Sequence, residues 1–300
     1  MTLSTPRAGR TSGQVVAAFG RHYLVAAEGG EFVRCVPRGK QSAVACGDRV
    51  NVARTARGEG VIEGTAPRET LFVRVAPHRR KLIAANATQV AVICAGEPSL
   101  ADELVARVLV AAESESLRAV LVLNKTDLAA PTALARERLA PFARACYPLV
   151  ELSAKRDVAA LRACLEDQTT VLIGQSGMGK STIVNALVPE ADAATREISR
   201  FLDSGRHTTT ATRLYRLGAN SAIVDSPGVQ EFGLAQLGAA EIEHGFPELR
   251  PLAGRCRFTD CRHRAEPGCA VRAAVDAGTV HPRRLTLLHR ILDAEGAARR

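Results

Sequence analysis

Residues Gly174-Gln-Ser-Gly-Met-Gly179-Lys180-Ser181 follow the pattern G-x-x-x-x-G-K-[ST] at every constrained position. That composition suits phosphate chemistry. Glycines let the backbone curl until its N–H groups converge on phosphate oxygens, and the N-terminus of a following helix adds its positive end. Gly174, Gln175, Ser176, Gly177, Met178, Gly179 and Thr182 form the cradle, Lys180 reaches the β- and γ-phosphates, and the Ser181 hydroxyl is a Mg2+ ligand. Asn124-Lys125-Thr126-Asp127 supplies the matching chemistry for a base. A carboxylate at Asp127 can accept from both the N1–H and the 2-amino group of guanine, whereas adenine would leave it unpaired.

Three further motifs fit the same ligand. Asp225-Ser-Pro-Gly228 matches D-x-x-G, in which the acid sits near Mg2+ through water and the glycine N–H senses the γ-phosphate. Ser153-Ala154-Lys155 matches the short loop that packs on guanine, and Gly205-Arg-His-Thr-Thr-Thr210 supplies hydroxyls, with Thr209 as the second Mg2+ ligand. The order is unusual. A standard GTPase runs P-loop, switch threonine, D-x-x-G, N-K-x-D, S-A-K; here N-K-x-D comes first, at 124, and D-x-x-G last, at 225. The cyclic order is kept while the starting point has moved, which is tolerable because the termini of compact domains often lie close together. The segment after Gly228, which moves with the γ-phosphate, therefore leads directly into the C-terminal part of the chain.

That part holds Cys256-x4-Cys261-x-His263-x5-Cys269. Three thiolates and an imidazole complete a closed tetrahedral Zn2+ site of the structural kind, with no position left for water. Arg257, Arg262 and Arg264 lie between the ligands and Arg255 just before them, so fixing the knuckle also displays a basic patch. Of the other cysteines, Cys35, Cys94 and Cys164 fall in apolar runs and are expected in the core.

Positioning these groups requires three kinds of local structure. The first 70 residues show five short strands (Val15–Ala18, Tyr23–Ala26, Phe32–Val36, Arg49–Ala53, Val61–Glu63) punctuated by glycine turns, the pattern of a small barrel of OB or SH3-like type. From about residue 82, strands at 90–95, 119–123, 149–152 and 170–173 alternate with helices at 104–112, 132–143, 158–165 and 182–188. Such alternation implies βαβ units and a mostly parallel sheet. Arg213–Leu217 and Ala222–Val224 read as two more strands, and the chain closes on a helix near Leu285–Leu292.

Composition bounds the functional class. With 300 residues, 46% hydrophobic and 24% charged, the chain reads as an ordinary globular protein. It shows no apolar run of membrane-spanning or signal-peptide length, so a cytoplasmic protein without membrane contact is expected. The net charge of +9 divides as +8 over residues 1–81, −4 over 82–243 and +5 over 244–300. Basic flanks around an acidic centre suggest a polyanionic partner. No Trp and only 11 Phe and Tyr argue for phosphate and shape recognition on structured nucleic acid rather than stacking of many bases.

The combination resembles the ribosome small-subunit-dependent GTPase, the RsgA/YjeQ family. The resemblance rests on Ala84-Ala-Asn86, the guanine and phosphate motifs, Glu231-Phe232-Gly233 after D-x-x-G, Phe246-Pro-Glu248, Cys256-Arg-Phe-Thr-Asp-Cys-Arg-His263 and Glu266-Pro-Gly-Cys-Ala-Val271. It implies three modules: an OB-fold RNA-binding domain at 1–81, a circularly permuted α/β P-loop GTPase domain at 82–236 and a mostly α zinc-binding domain at 237–300. It further implies GTP hydrolysis to GDP and phosphate, stimulated by the small ribosomal subunit, contact with its rRNA, and a late role in subunit maturation. Nothing in the chain demands more than a monomer. The residue after D-x-x-G is Val229, which cannot orient water; the resemblance puts a histidine at His207, and an imidazole there can do so. Val229 also leaves open a nucleotide-switched RNA-binding adaptor with negligible hydrolysis. A P-loop kinase or ATPase conflicts with Asn124–Asp127.

Overall fold

The computed structural model describes residues 9–39, 44–76, 79–191 and 211–298. The first five strands are β1 (Arg10–Phe19), β2 (His22–Ala27), β3 (Phe32–Pro37), β4 (Arg49–Ala56) and β5 (Glu59–Thr65). Strand β1 pairs with both β2 and β4, β2 with β3, β3 in parallel with β5, and β5 with β4, so the circuit closes as an OB-type barrel. Alternate residues fill its interior: Val15, Tyr23, Val25, Val33, Cys35, Val50, Val52 and Ile62 are all buried together. A register shift in β1 between Val15 and Ala17 bends this strand, and Ala17 and Ala18 also pair with a strand of the next module.

A hairpin that the sequence pattern did not reveal follows, β6 (Leu71–Ala76) with β7 (Arg79–Ala85). Strand β7 runs across the expected bound at residue 81, and the cationic run Arg79-Arg80-Lys81 hides its alternation. Asn86, at φ 57°, stitches hairpin to barrel: its Nδ2 donates to the Gly47 carbonyl at 3.2 Å and its Oδ1 accepts from Glu69 N–H at 3.0 Å. Gly47 has φ 94°, and a Cβ there would lie 2.2 Å from the Ala85 oxygen, so only glycine fits this approach. Beside it the fully buried Asp48 holds the Arg68 guanidinium with two bonds of 2.6 and 2.7 Å.

The central module contains β8 (Gln89–Ala95), α1 (Asp102–Ser114), β9 (Arg118–Asn124), α2 (Ala129–Arg144), β10 (Leu149–Glu151), α3 (Ala159–Cys164), β11 (Thr169–Ile173), α4 (Lys180–Leu187), β12 (Thr212–Arg216) and β13 (Ala222–Asp225). The strand order is β10-β9-β8-β11-β13-β12, parallel except for β12. Every residue of β8 is buried, as expected of a strand covered on both faces. Ile93, Val122 and Leu172 pack with Leu161 of α3 and Ile183 of α4; Val92, Leu121 and Val171 pack with Leu109 of α1 and Phe142 of α2. Cys35 and Cys94 are core residues as expected, whereas Cys164, the last residue of α3, is only half-buried. The β1–β12 pairing joins barrel and central sheet into one run of 11 strands.

The C-terminal module comprises α5 (Ala239–His244), a 3-10 turn at Pro247–Leu252, α6 (Ala270–Asp276) and α7 (Pro282–Ala298). The segment leading into it is gripped from three sides. The Phe232 ring lies 5.7 Å from that of Phe72 in β6, Val75 N–H donates to the Gly233 oxygen at 3.4 Å, and Leu234 N–H donates to Glu295 of α7 at 3.1 Å. Glu295 is itself ion-paired with Arg107 of α1. Among the described residues no helix is long and apolar enough to cross a membrane.

Arg284 pins α7 to the central module. It is 2% exposed, its guanidinium carbon lies 4.5 Å from the Phe246 centroid and 4.8 Å from that of Phe142, and its Nε donates to Glu248 at 2.5 Å. Stacking on two rings stabilises the cation while Glu248 offsets its desolvation. Arg284→Ala is expected to destabilise the protein by about 3 kcal/mol, because it leaves Glu248 buried without its cation and opens a cavity. Arg284→Met is expected to recover most of that loss, since it fills the space between the rings. Thermal unfolding of the three proteins checks this; equal melting of Ala and Met variants would contradict it.

Candidate functional site

The carboxyl ends of β8, β9, β10, β11 and β13 all face one edge of the sheet, the place where an open α/β sheet binds ligands. A cleft of about 810 Å3 lies there. One end is lined by Asn124, Lys125, Asp127, Leu128, Ser153, Ala154 and Lys155, and the other by Ser176, Gly177, Gly179, Lys180, Ser181, Thr182, Arg213, Asp225 and Gly228. Motifs separated by up to about a hundred residues therefore meet in one cavity.

The loop after β11 has the conformation its glycines allow. Gly177 has φ 81° and Gly179, the residue that opens α4, has φ 89°. A Cβ on Gly174 would lie 2.4 Å from the Ile93 oxygen, and one on Gly179 would lie 2.3 Å from Asn124 Nδ2. Lys180 is 8% exposed and curls back over the loop, donating to the carbonyls of Gly174 at 2.8 Å and Gln175 at 3.1 Å. Burial lowers its pKa, with Asp225 opposing. Gln175 and Met178 do not line the cleft. The Gln175 side chain accepts from Ala101 N–H at 3.0 Å, and the Met178 side chain is buried in the core.

Asn124 is 2% exposed and commits both ends of its amide to the protein. Its Nδ2 donates to the Met178 carbonyl at 3.0 Å and its Oδ1 accepts from Ala154 N–H at 3.0 Å, so it braces the phosphate loop against the Ser153–Lys155 loop. Asp127 stays exposed at the cleft; Ser153 Oγ donates to its Oδ1 at 2.6 Å, which is the main reason its pKa is lowered. Lys125 passes close to Gly179 of the phosphate loop and its Nζ donates to the Glu97 carbonyl at 2.8 Å. Leu128, exposed beside the motif, offers an apolar surface that the motifs do not single out.

At the opposite end, burial raises the Asp225 pKa to about 6, with Lys180 and then Arg213 opposing that rise. Gly228 lies tight against this group: a Cβ there would stand 3.2 Å from Ser176 Cα and 3.3 Å from Lys180 Nζ. Val229 donates its N–H to the Gly174 carbonyl at 3.1 Å and buries its side chain in the core, so the side chain faces neither water nor ligand. His207 and Thr208–Thr210, including Thr209, lie outside the described residues.

In the C-terminal module the ligating atoms of Cys256, Cys261, His263 and Cys269 all lie within 4.8 Å of one another. His263 presents Nδ1 to the three sulfurs at 3.6, 3.6 and 3.3 Å. Its Nε2 lies 3.1 Å from Glu243 Oε1 on α5, an outer partner that fixes ring orientation and tautomer. Donor type, number and spacing fit a metal ion. Arg255, Arg257, Arg262 and Arg264 are exposed around the knuckle, and Glu266 ties the loop by accepting from the N–H groups of Arg262, Arg264 and Ala265. Those backbone bonds hold the Glu266 carboxyl down at about 2.

The chain is similar to known proteins over nearly its whole length. A family model described as RsgA GTPase matches residues 65–235. The "Small ribosomal subunit biogenesis GTPase RsgA" of Nitrosospira multiformis is 51% identical over 280 residues, 93% of this chain and 90% of that protein. The protein of the same name from Burkholderia pseudomallei is 50% identical over 283 residues, again 93% and 90%. Among solved structures, YjeQ from Thermotoga maritima superposes with a TM-score of 0.73 at 29% identity, covering 96% of this chain and 99% of its own. YloQ, described as a circularly permuted GTPase, shows the same fold with a TM-score of 0.69 at 21% identity, covering 99% and 98%. Because the family's model spans the whole nucleotide cleft and half the residues of such relatives recur along the chain, the protein belongs to the RsgA GTPase family, a family of GTP hydrolases.

Proposed function

We propose that the protein is a cytoplasmic, monomeric GTPase that docks on the small ribosomal subunit, contacts its rRNA and uses GTP hydrolysis to govern a late step of subunit maturation. The single cavity that unites Lys180, Ser181, Asp225 and Gly228 with Asp127 and Ser153 is the observation that carries the nucleotide reading. Lys180 and the loop N–H groups hold the phosphates. Ser181 and Thr209 would hold Mg2+, which would offset charge gathered on the transferring phosphoryl group, with Asp225 lining the same end of the cleft. Asp127 reads guanine with its carboxylate fixed by Ser153, and Asn124 keeps the two loops in register. Gly228 N–H senses the γ-phosphate. Hydrolysis joins a water oxygen to the γ-phosphorus and breaks the β,γ-bridging P–O bond, leaving GDP and inorganic phosphate. With Val229 turned into the core, His207 is assigned the orientation of that water.

The ribosomal half of the proposal is supported by the names of the relatives and by the charge distribution, net +8 over residues 1–81 and +5 over 244–300. One structural Zn2+ on Cys256, Cys261, His263 and Cys269 shapes the C-terminal basic patch. Phosphate release from GTP, measured with and without purified small subunits, tests the reading, with large subunits and ATP as controls. Stimulation of at least about tenfold by small subunits alone is expected, since docking completes a site that lacks its own glutamine. Equal turnover with both subunits would remove the ribosomal assignment, and turnover of ATP equal to GTP would remove the guanine assignment.

A further inference from the structure

Arg213 belongs to none of the nucleotide motifs, yet it lines the cleft beside Lys180, Asp225 and Gly228. Strand register explains why. Arg213 on β12 is the direct antiparallel partner of Asp225 on β13, and directly opposed residues project from the same face of a sheet. On its other edge β12 pairs with β1, where Arg213 stands opposite Ala17 of the barrel. Two residues further, Phe19 projects from that same face, and the Arg213 guanidinium carbon lies 5.5 Å from its ring centroid. Phe19, Arg213 and Asp225 thus form a row across three strands, reaching from the barrel to the phosphate end of the cleft.

A guanidinium held this way adds a second fixed cation next to Lys180. A triphosphate carries more negative charge at that end than a diphosphate does, so the added cation acts unequally on the two. We propose that Arg213 is a specificity-determining residue that favours GTP over GDP, and that Phe19 of the barrel positions it. The inference rests on the reading of the cleft as a guanine-nucleotide site. It makes the N-terminal barrel part of that site: any force that shifts β1 against β12 moves a cation at the γ-phosphate end.

The test compares the full-length protein with Arg213→Ala, Arg213→Lys and Phe19→Leu. Dissociation constants for GDP and for a non-hydrolysable GTP analogue are measured with Mg2+. Arg213→Ala is expected to weaken the triphosphate about tenfold, while GDP changes less than about twofold. Phe19→Leu keeps apolar volume but removes the ring, and is expected to shift the same ratio in the same direction by about threefold. Arg213→Lys keeps the charge and loses the planar stack, so its ratio should fall between wild type and Ala. Equal weakening of both nucleotides, or no change in the ratio, would overturn the proposal, because a purely structural role moves both affinities together. Should Arg213→Ala fail to fold, as judged by its melting and GDP binding, Phe19→Leu and Arg213→Lys decide the matter by the same ratio. If the wild-type protein binds neither nucleotide, the GTP reading itself fails.

Discussion

Asp127→Asn is expected to turn the base preference from guanine to xanthine. A carboxylate offers two acceptors to guanine's N1–H and 2-amino donors, whereas an amide offers one acceptor and one donor. With guanine the new NH2 faces the 2-amino group, donor against donor; with xanthine it meets the C2 oxygen and both bonds are made. Sites built to hydrogen-bond a polar group reject a mismatched one by about 10^3-fold or more. The GTP affinity of the variant should fall by that order, and xanthosine triphosphate should bind at least about tenfold better than GTP. Competition of GTP, xanthosine triphosphate and ATP against a fluorescent GDP analogue measures this. A variant that lost affinity for all three equally would show that Asp127 holds the loop rather than the base. The 2.6 Å bond from Ser153 already occupies Oδ1 in a geometry that leaves the carboxylate ionised at neutral pH.

Removing the metal from the Cys/His cluster is expected to have the other large effect. The knuckle from Gly254 to Ala270 has few buried apolar side chains of its own; what gathers it is the four-atom donor set and the Glu266 backbone bonds. Structural zinc in modules of this kind contributes on the order of 10 kcal/mol to local folding. Chelation, or Cys269→Ser, should therefore open the knuckle to proteases. Cys269 carries a second role, because its sulfur accepts from Arg272 N–H and caps α6. GDP binding should survive, since none of the described residues lining the cleft comes from this module. Metal content by mass spectrometry and limited proteolysis before and after chelation check the prediction. A knuckle equally resistant without metal would mean that the cluster does not hold it together.

The three-sided grip on Phe232–Leu234 gives the permuted motif order a mechanical meaning. In the described structure the chain leaves Gly228, anchors Val229 N–H on the phosphate loop, and within five residues touches the β6 hairpin, α1 and α7. A change at the γ-phosphate end thus acts on a segment that the N-terminal hairpin and the C-terminal helix both hold. The buried Glu295–Arg107 pair sets that contact, and it lies 188 residues apart in the chain.

Short-range chemistry was legible from the amino acids. The phosphate loop needs only a strand, eight consecutive residues and a helix; the metal cluster needs 14 residues; the guanine motif needs four. Each is encoded by contiguous residue types, so local backbone preference and spacing determine it, and most strand and helix positions followed from hydrophobic period to within about three residues, although β1 begins at Arg10 rather than Val15 and α7 runs on to Ala298 rather than Leu292. Helix α2 begins at Ala129 rather than Thr132 because Pro131 is tolerated in a first helical turn. Asn124 is a base reader by motif, and only the structure shows that its amide also braces two loops, its Nδ2 meeting the Met178 carbonyl and its Oδ1 the Ala154 N–H.

What tertiary structure decided are the relations between distant segments. Barrel closure, the β1–β12 pairing that fuses two sheets, the hairpin hidden by Arg79–Lys81 and the seating of Arg284 between rings all depend on strand order and crossover path. Arg213 and Arg284 are two arginines among many in the linear chain. One faces the phosphate end of the cleft and the other is buried only because the sheet places Asp225 and Phe19 around the first, and Phe142 of α2 and Phe246 enclose the second. A side chain's chemistry is local to its residue type, but its charge state, partners and exposure are set by neighbours that the fold brings from far along the chain.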